Sequence, residues 1–137
     1  MTDYLVDNSV WARLASGDPV VGARLRRIER APADLFVTCP PQVLEFCHSA
    51  RSPEEHAHLY EQMSLGFPLE RAPDESLVLD IQSALWNAGL VRAAGATDIL
   101  IAGYAIVNDA TVLAADHDFG HIARVTDLRH EYVAPSS

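Results

Sequence analysis

Asp7 directly follows the apolar run Tyr4-Leu5-Val6, and Asp116 directly follows Thr111-Val112-Leu113-Ala114-Ala115. Asp98 opens the apolar stretch Ile99-Leu100-Ile101-Ala102, and Glu45 is enclosed in Val43-Leu44-Glu45-Phe46-Cys47. Asp118 follows Asp116 after a single histidine, His117. Each acid has a local role open to it. Asp7 can cap the helix that follows, Asp98 can favour a helix dipole, Glu45 can share a polar stripe with Gln42 and Ser49, and Asp118 can cap a turn. As a set they raise a different problem. Two carboxylates about 4 Å apart repel by about 4 kcal/mol at an effective dielectric near 20. Three or four together would threaten a domain of ordinary stability, roughly 5–15 kcal/mol. The chain has no lysine to offset them. A divalent cation resolves the conflict, and an all-oxygen ligand set points to Mg²⁺ or Mn²⁺. A hard ion with open positions suits phosphodiester hydrolysis.

The elements that must position these acids are legible around them. Tyr4-Leu5-Val6 reads as a buried strand, as do Leu35-Phe36-Val37-Thr38 and residues 111–115. Phe67-Pro68-Leu69 and Glu131-Tyr132-Val133 read as short or weak strands. Helices are expected over Asn8 to Ala15, from Pro19 with Asp18 as cap, over 40–51, and over 53–65 behind the capping box Ser52-Pro53-Glu54-Glu55. Asp74 begins another that ends near Gly89, and Thr97 is expected to cap a helix apolar nearly all round, hence buried. Residues 119–123 form a helical turn. Strands alternating with helices imply an α/β fold with a parallel sheet covered on both faces. In such sheets ligands bind at the carboxyl ends of the strands, where the strand order reverses, and Asp7 and Asp116 both stand at strand ends.

The length, 137 residues, is that of one domain: residues 1–133, with a loose tail at 134–137. Cys39 and Cys47 lack paired spacing and read as buried free thiols of a reducing compartment. No stretch approaches the ~18 apolar residues of a membrane span, and the start lacks the basic residues of a secretory signal, so a cytoplasmic protein with no membrane role is expected. The net charge of −9 disfavours general nucleic-acid binding unless metal neutralises some acids and the arginines cluster. Ten arginines are present, four of them at 24, 26, 27 and 30; Arg24 and Arg27 share a helix face and are candidates for contact with RNA or an acidic protein segment. Absence of lysine argues against phosphoacceptor receiver domains and haloacid-dehalogenase-like phosphatases, which as known families need one near the site.

Tyr4-Leu5-Val6-Asp7-Asn8-Ser9-Val10-Trp11 resembles the opening strand and D-x-S of PIN domains. Val43-Leu44-Glu45-Phe46 with Ser49-Ala50-Arg51 resembles their second acidic segment, Thr97-Asp98-Ile99-Leu100-Ile101-Ala102 the third, and Ala115-Asp116-His117-Asp118-Phe119 the closing D-x-D-F. Order and spacing match over nearly the whole chain. The resemblance implies a PIN-like three-layer α/β/α sandwich with strand order 3-2-1-4-5. It also implies Mg²⁺- or Mn²⁺-dependent endoribonuclease activity leaving 5′-phosphate and 3′-hydroxyl ends. Asp7, Glu45, Asp98 and Asp116 would carry the metal and the catalysis, with Ser9 and Asp118 supporting them. The short length resembles VapC toxins, which inhibit translation, dimerise, and are blocked by a VapB-type antitoxin. His117 departs from the pattern; bystander, substrate contact and proton shuttle are all open to it, with bystander the preferred reading. The competing reading is a catalytically weak PIN-like module acting mainly through a protein partner.

Overall fold

A computed structural model describes residues 1–136; Ser137, the last residue of the expected tail, lies outside the described residues. Five strands form one sheet: β1 (Thr2–Val6), β2 (Asp34–Thr38), β3 (Phe67–Pro68), β4 (Thr111–Ala114) and β5 (Arg129–Tyr132). Their order is β3-β2-β1-β4-β5 and every pairing is parallel. The seven helices of the described residues are α1 (Asn8–Ala15), α2 (Pro19–Arg30), α3 (Pro40–Cys47), α4 (Pro53–Met63), α5 (Glu75–Asn87), α6 (Ala96–Val107) and α7 (Asp118–Ala123).

Strand alternation sorts the core into two layers. Tyr4, Val6 and Leu113 pack with Val10 of α1 and Val21, Leu25 and Ile28 of α2. Leu5, Val112 and Ala114 point the other way, onto α5, α6 and α7 through Ile81, Ile101, Phe119 and Ile122. This is the expected sandwich. Near-continuous apolar strands are needed because both faces of the sheet are covered.

Local capping explains several boundaries. Asp18 accepts from Val20 N and Val21 N at 3.0 and 3.1 Å, with Pro19 in the first helical position. Ser52 accepts from Glu55 N at 3.1 Å. Three details differ from the sequence reading. Helix α3 stops at Cys47 rather than near residue 51, where the Ser49 hydroxyl donates to the Phe46 carbonyl at 3.2 Å. Asp74 is the cap of α5 by position but makes no side-chain bond there. The cap of α6 is Gly95, not Thr97: Asp98, third in the helix, accepts from Gly95 N at 3.3 Å and draws the helix start back.

Helix α6 is buried at Ile99, Ile101, Ala102, Gly103 and Ala105, with Leu100 turned outward. A Cβ on Gly103 would meet Pro73 and Val78 at 3.0 Å, so glycine permits the close seating of this helix. Cys39 and Cys47 are buried free thiols, and burial pushes the Cys39 thiol up to about 12. Ser136 N and Oγ both donate to Asp18 Oδ2, at 2.9 and 3.1 Å. No helix of the described residues is long and apolar enough to cross a membrane.

Candidate active site

The sheet order reverses between β1 and β4, and their register pairs Val6 with Leu113. The next residue, Asp7, donates its backbone N–H to Leu113 O at 2.9 Å. The two strand ends therefore open side by side into the crevice where α/β sheets bind ligands. Asp7 is 3% exposed. Its Oδ2 caps α1 by accepting from Ser9 N at 3.0 Å, whereas its Oδ1 is buried with no hydrogen-bond partner among the described residues.

Two helices bring further acids to this point. Glu45 projects from α3 and Asp98 from the first turn of α6, both partly buried. One carboxylate oxygen from each of Asp7, Glu45 and Asp98 lies within 4.8 Å of the other two. The electrostatic consequence is direct. Burial, then the charges of Asp7 and Asp118, raise Asp98 to about 7. Burial, then Asp7, Asp116 and Asp118, raise Glu45. Burial foremost raises Asp116, with Asp7 and Asp118 adding to it against the hydrogen bond from Asp118 N.

Of the four acids singled out in the sequence, three thus form a mutually close group. Asp116 borders it, near enough for its charge to act on Glu45, but outside the trio. One Asp116 oxygen accepts from Asp118 N at 3.2 Å, which opens α7. Asp118 reaches the group through its charge on Asp98 and Glu45. Ser9 has a defined part: its Oγ accepts from Ala115 N at 2.9 Å, stapling the start of α1 to the chain just before Asp116.

The trio fits a hard divalent cation. Its donors are all oxygen, no lysine or arginine neutralises them, and the orphaned Oδ1 of Asp7 lacks any positive partner. An unpaired buried charge is costly, and a cation among the three oxygens removes that cost.

The arginines stand elsewhere. Arg24 lies between α2 and β5, donating through Nε and Nη2 to Glu131 at 2.6 and 3.0 Å and through Nη2 to Tyr4 OH at 2.9 Å. Its guanidinium is held charged by Glu131, with its side chain 18% exposed. Arg27 is exposed on the same groove and makes no ion pair among the described residues.

Two features have no local signal in the sequence. His117 stacks on Tyr132, ring centroids 4.5 Å apart and planes at 25°. A largely apolar groove of about 390 Å³ is lined by Trp11, Leu14, Leu25, Phe36, Gln42 and Met63, among others, and includes none of Asp7, Glu45, Asp98, Asp116 and Asp118. Trp11 Nε1 and Gln42 Oε1 are both buried there without partners among the described residues.

A PIN domain family model matches residues 4–125. The chain is 34% identical over 135 residues to ribonuclease VapC21 of Mycobacterium tuberculosis, covering 96% of this chain and 94% of that one. It is 30% identical over 132 residues to VapC ribonuclease Mb1587 of Mycobacterium bovis, covering 91% and 95%. Among solved structures, VapBC2 from Rickettsia felis bound to a promoter DNA fragment superposes with a TM-score of 0.73 at 15% identity, covering 96% of this chain and 98% of that one. VapBC-1 from nontypeable Haemophilus influenzae gives 0.71 at 19%, with the same coverage. At those identities the structural likeness speaks for the fold.

Proposed function

Because the chain belongs to the PIN domain family and is of its VapC type, we propose that it is a Mg²⁺- or Mn²⁺-dependent endoribonuclease, the toxin of a toxin–antitoxin pair that inhibits translation by cutting RNA. The observation that carries the metal-dependent reading is the close trio Asp7, Glu45 and Asp98 with its orphaned buried oxygen. These three would hold the ion, with Asp116 contributing from the rim. When bound, such an ion would neutralise charge on the phosphodiester and make attack by water accessible at neutral pH. The protein's own part is preorganisation. Ser9 N fixes one oxygen of Asp7 and leaves the other without a partner among the described residues. The Ser9 staple and the Asp116–Asp118 turn hold the end of β4 against it. The products expected are 5′-phosphate and 3′-hydroxyl ends.

The apolar groove beside α1 supports a VapB-like antitoxin as partner. A covering segment would remove the apolar faces of Trp11 and Leu14 from solvent. A homodimer is supported by Leu44 and Tyr60, exposed around a second apolar groove, with Leu65 and Phe67 exposed nearby in the chain.

The test is cleavage of total RNA by the purified chain with Mg²⁺ or Mn²⁺. Cleavage should stop in excess EDTA and return when metal is restored, and mapped ends should carry 5′-phosphate. Asp7→Asn and Asp98→Asn should abolish it while remaining folded. Full activity in excess chelator overturns the metal-dependent reading, and RNA left intact by wild type with either metal favours the binding-module alternative.

A further inference from the structure

His117 occupies the position between the two closing acids, yet its ring donates no hydrogen bond to them among the described residues. It lies exposed and stacked on Tyr132, which is itself 39% exposed. Tyr132 reaches this point through the sheet: it is in register with Ala114, and the next residue, Val133, donates to Ala114 O at 2.8 Å. Two stacked rings thus stand beside the acidic centre and outside both core layers. Tyr132 also lines a groove of about 570 Å³ that continues over α2 to Arg27. Within it the Glu131 carboxylate is taken up by Arg24 through two hydrogen bonds, so that pair presents little net charge. Arg27 remains as the exposed cation that is free of an ion pair among the described residues. His117 adjoins Asp116 in the chain and stacks on Tyr132, and Tyr132 shares its groove with Arg27.

Resting on the ribonuclease reading, we propose that these groups form a track for single-stranded RNA: the His117–Tyr132 pair carries a nucleobase beside the cleaved bond, and Arg27 takes a phosphate farther along. The chemistry favours this occupant. An aromatic face stacks with any base, and one cation on the backbone completes the usual pairing of stacking with phosphate attraction in single-strand binding. The chain's charge of −9 repels phosphate overall, which makes a groove with its carboxylate already paired the favourable exit from the centre. An acidic protein segment would use Arg27 but has no use for the two rings. His117 is then a positioning residue through its ring face, not through a proton.

The experiment measures steady-state cleavage of a short oligoribonucleotide spanning a mapped cut, with the full chain in Mn²⁺. Tyr132→Ala and His117→Ala should each raise KM by about five- to a hundredfold, the range expected for losing one base stack, with a smaller effect on kcat. Tyr132→Phe and His117→Tyr keep a ring and should restore KM to near wild type. Arg27→Ala should raise KM and flatten its salt dependence by about one ion. Melting curves should be alike across the set, since these side chains lie outside the core. Unchanged KM in both alanine variants, while wild type cuts normally, overturns the track alone. A kcat loss in His117→Tyr as large as in His117→Ala assigns a proton-transfer role instead and also overturns it. Loss of antitoxin binding in Arg27→Ala with unchanged RNA kinetics assigns that arginine to a protein dock and removes it from the track. No cleavage by wild type overturns the track together with the ribonuclease reading.

Discussion

Asp98 concentrates the chemistry of the candidate site in one carboxyl group. Its value of about 7 lies well above the ordinary 3.8 because burial, and then the charges of Asp7 and Asp118, penalise the ionised form. Below about pH 4 the group is neutral in both the folded and the unfolded chain. Between there and about pH 7 the unfolded chain releases the proton while the folded chain keeps it, so stability falls as pH rises and the loss is complete above the folded value. In EDTA, wild type should therefore melt lower at pH 8 than at pH 5. Asp98→Asn should show a flatter profile and melt higher than wild type at pH 8, by on the order of 5 °C. The amide oxygen that this substitution introduces can still accept from Gly95 N, so the cap of α6 survives the change. Added Mg²⁺ should raise the wild-type melting point by mass action, more at pH 8 than at pH 6, and the variant's much less. A variant that melts lower in EDTA, with Mg²⁺ shifting both proteins equally, would place Asp98 in a purely structural role.

Elements meet at the site through few bonds, and the most consequential is the Ser9 staple. Helix α1 begins where β1 ends, and Ser9 Oγ takes the N–H of Ala115 at the end of β4. One hydroxyl therefore links the element bearing Asp7 to the segment bearing Asp116. Ser9→Ala leaves a part-buried N–H unpaired, which costs roughly 1–3 kcal/mol. The expected outcome is a melting point lower by several degrees and cleavage reduced several-fold, with Ser9→Thr retaining most of both. Wild-type cleavage at a lowered melting point would show that the staple serves the fold without aligning the acids. Helix α6 is positioned differently, by fit: Gly103 against Pro73 and Val78 sets how closely the helix carrying Asp98 approaches α5.

At the scale of the whole molecule, the acidic trio and the apolar groove have no residue in common. The acids gather at the switch point of the sheet, whereas the groove with the unmet Trp11 and Gln42 groups runs beside α1, α2 and the end of α4. The separation makes a clean prediction. Leu14 lines the groove and is 40% exposed, so Leu14→Glu should leave the fold and RNA cleavage intact. Binding to a VapB-like antitoxin should weaken by about tenfold or more, because the substitution puts a charge where the partner would cover apolar surface. RNA cleavage checks the first effect and titration calorimetry the second. Equal antitoxin affinity in the two proteins would place the docking surface elsewhere.

Much of the architecture was legible along the chain, because the signals are local. Apolar runs of strand length, the caps at Asp18 and Ser52, and the buried composition of α6 each follow from a few neighbouring residues. The candidate acids were legible for the same reason: a carboxylate abutting an apolar run cannot turn to solvent easily. Whether the acids converge was not local. It required β1 and β4 to be neighbours, a pairing across more than a hundred residues that is settled by packing on both sheet faces. That packing draws Asp7, Glu45 and Asp98 together and leaves Asp116 at the border, although along the chain the four looked equivalent. It likewise decides the arginines. Arg24 and Arg27 share one helix face in the sequence, but only Arg24 meets Glu131, 107 residues away. The rings of His117 and Tyr132 meet only through the parallel register of β4 and β5. Residue type and spacing thus determined which groups the protein has and which elements carry them; long-range strand pairing, driven by burial, decided which of those groups stand together.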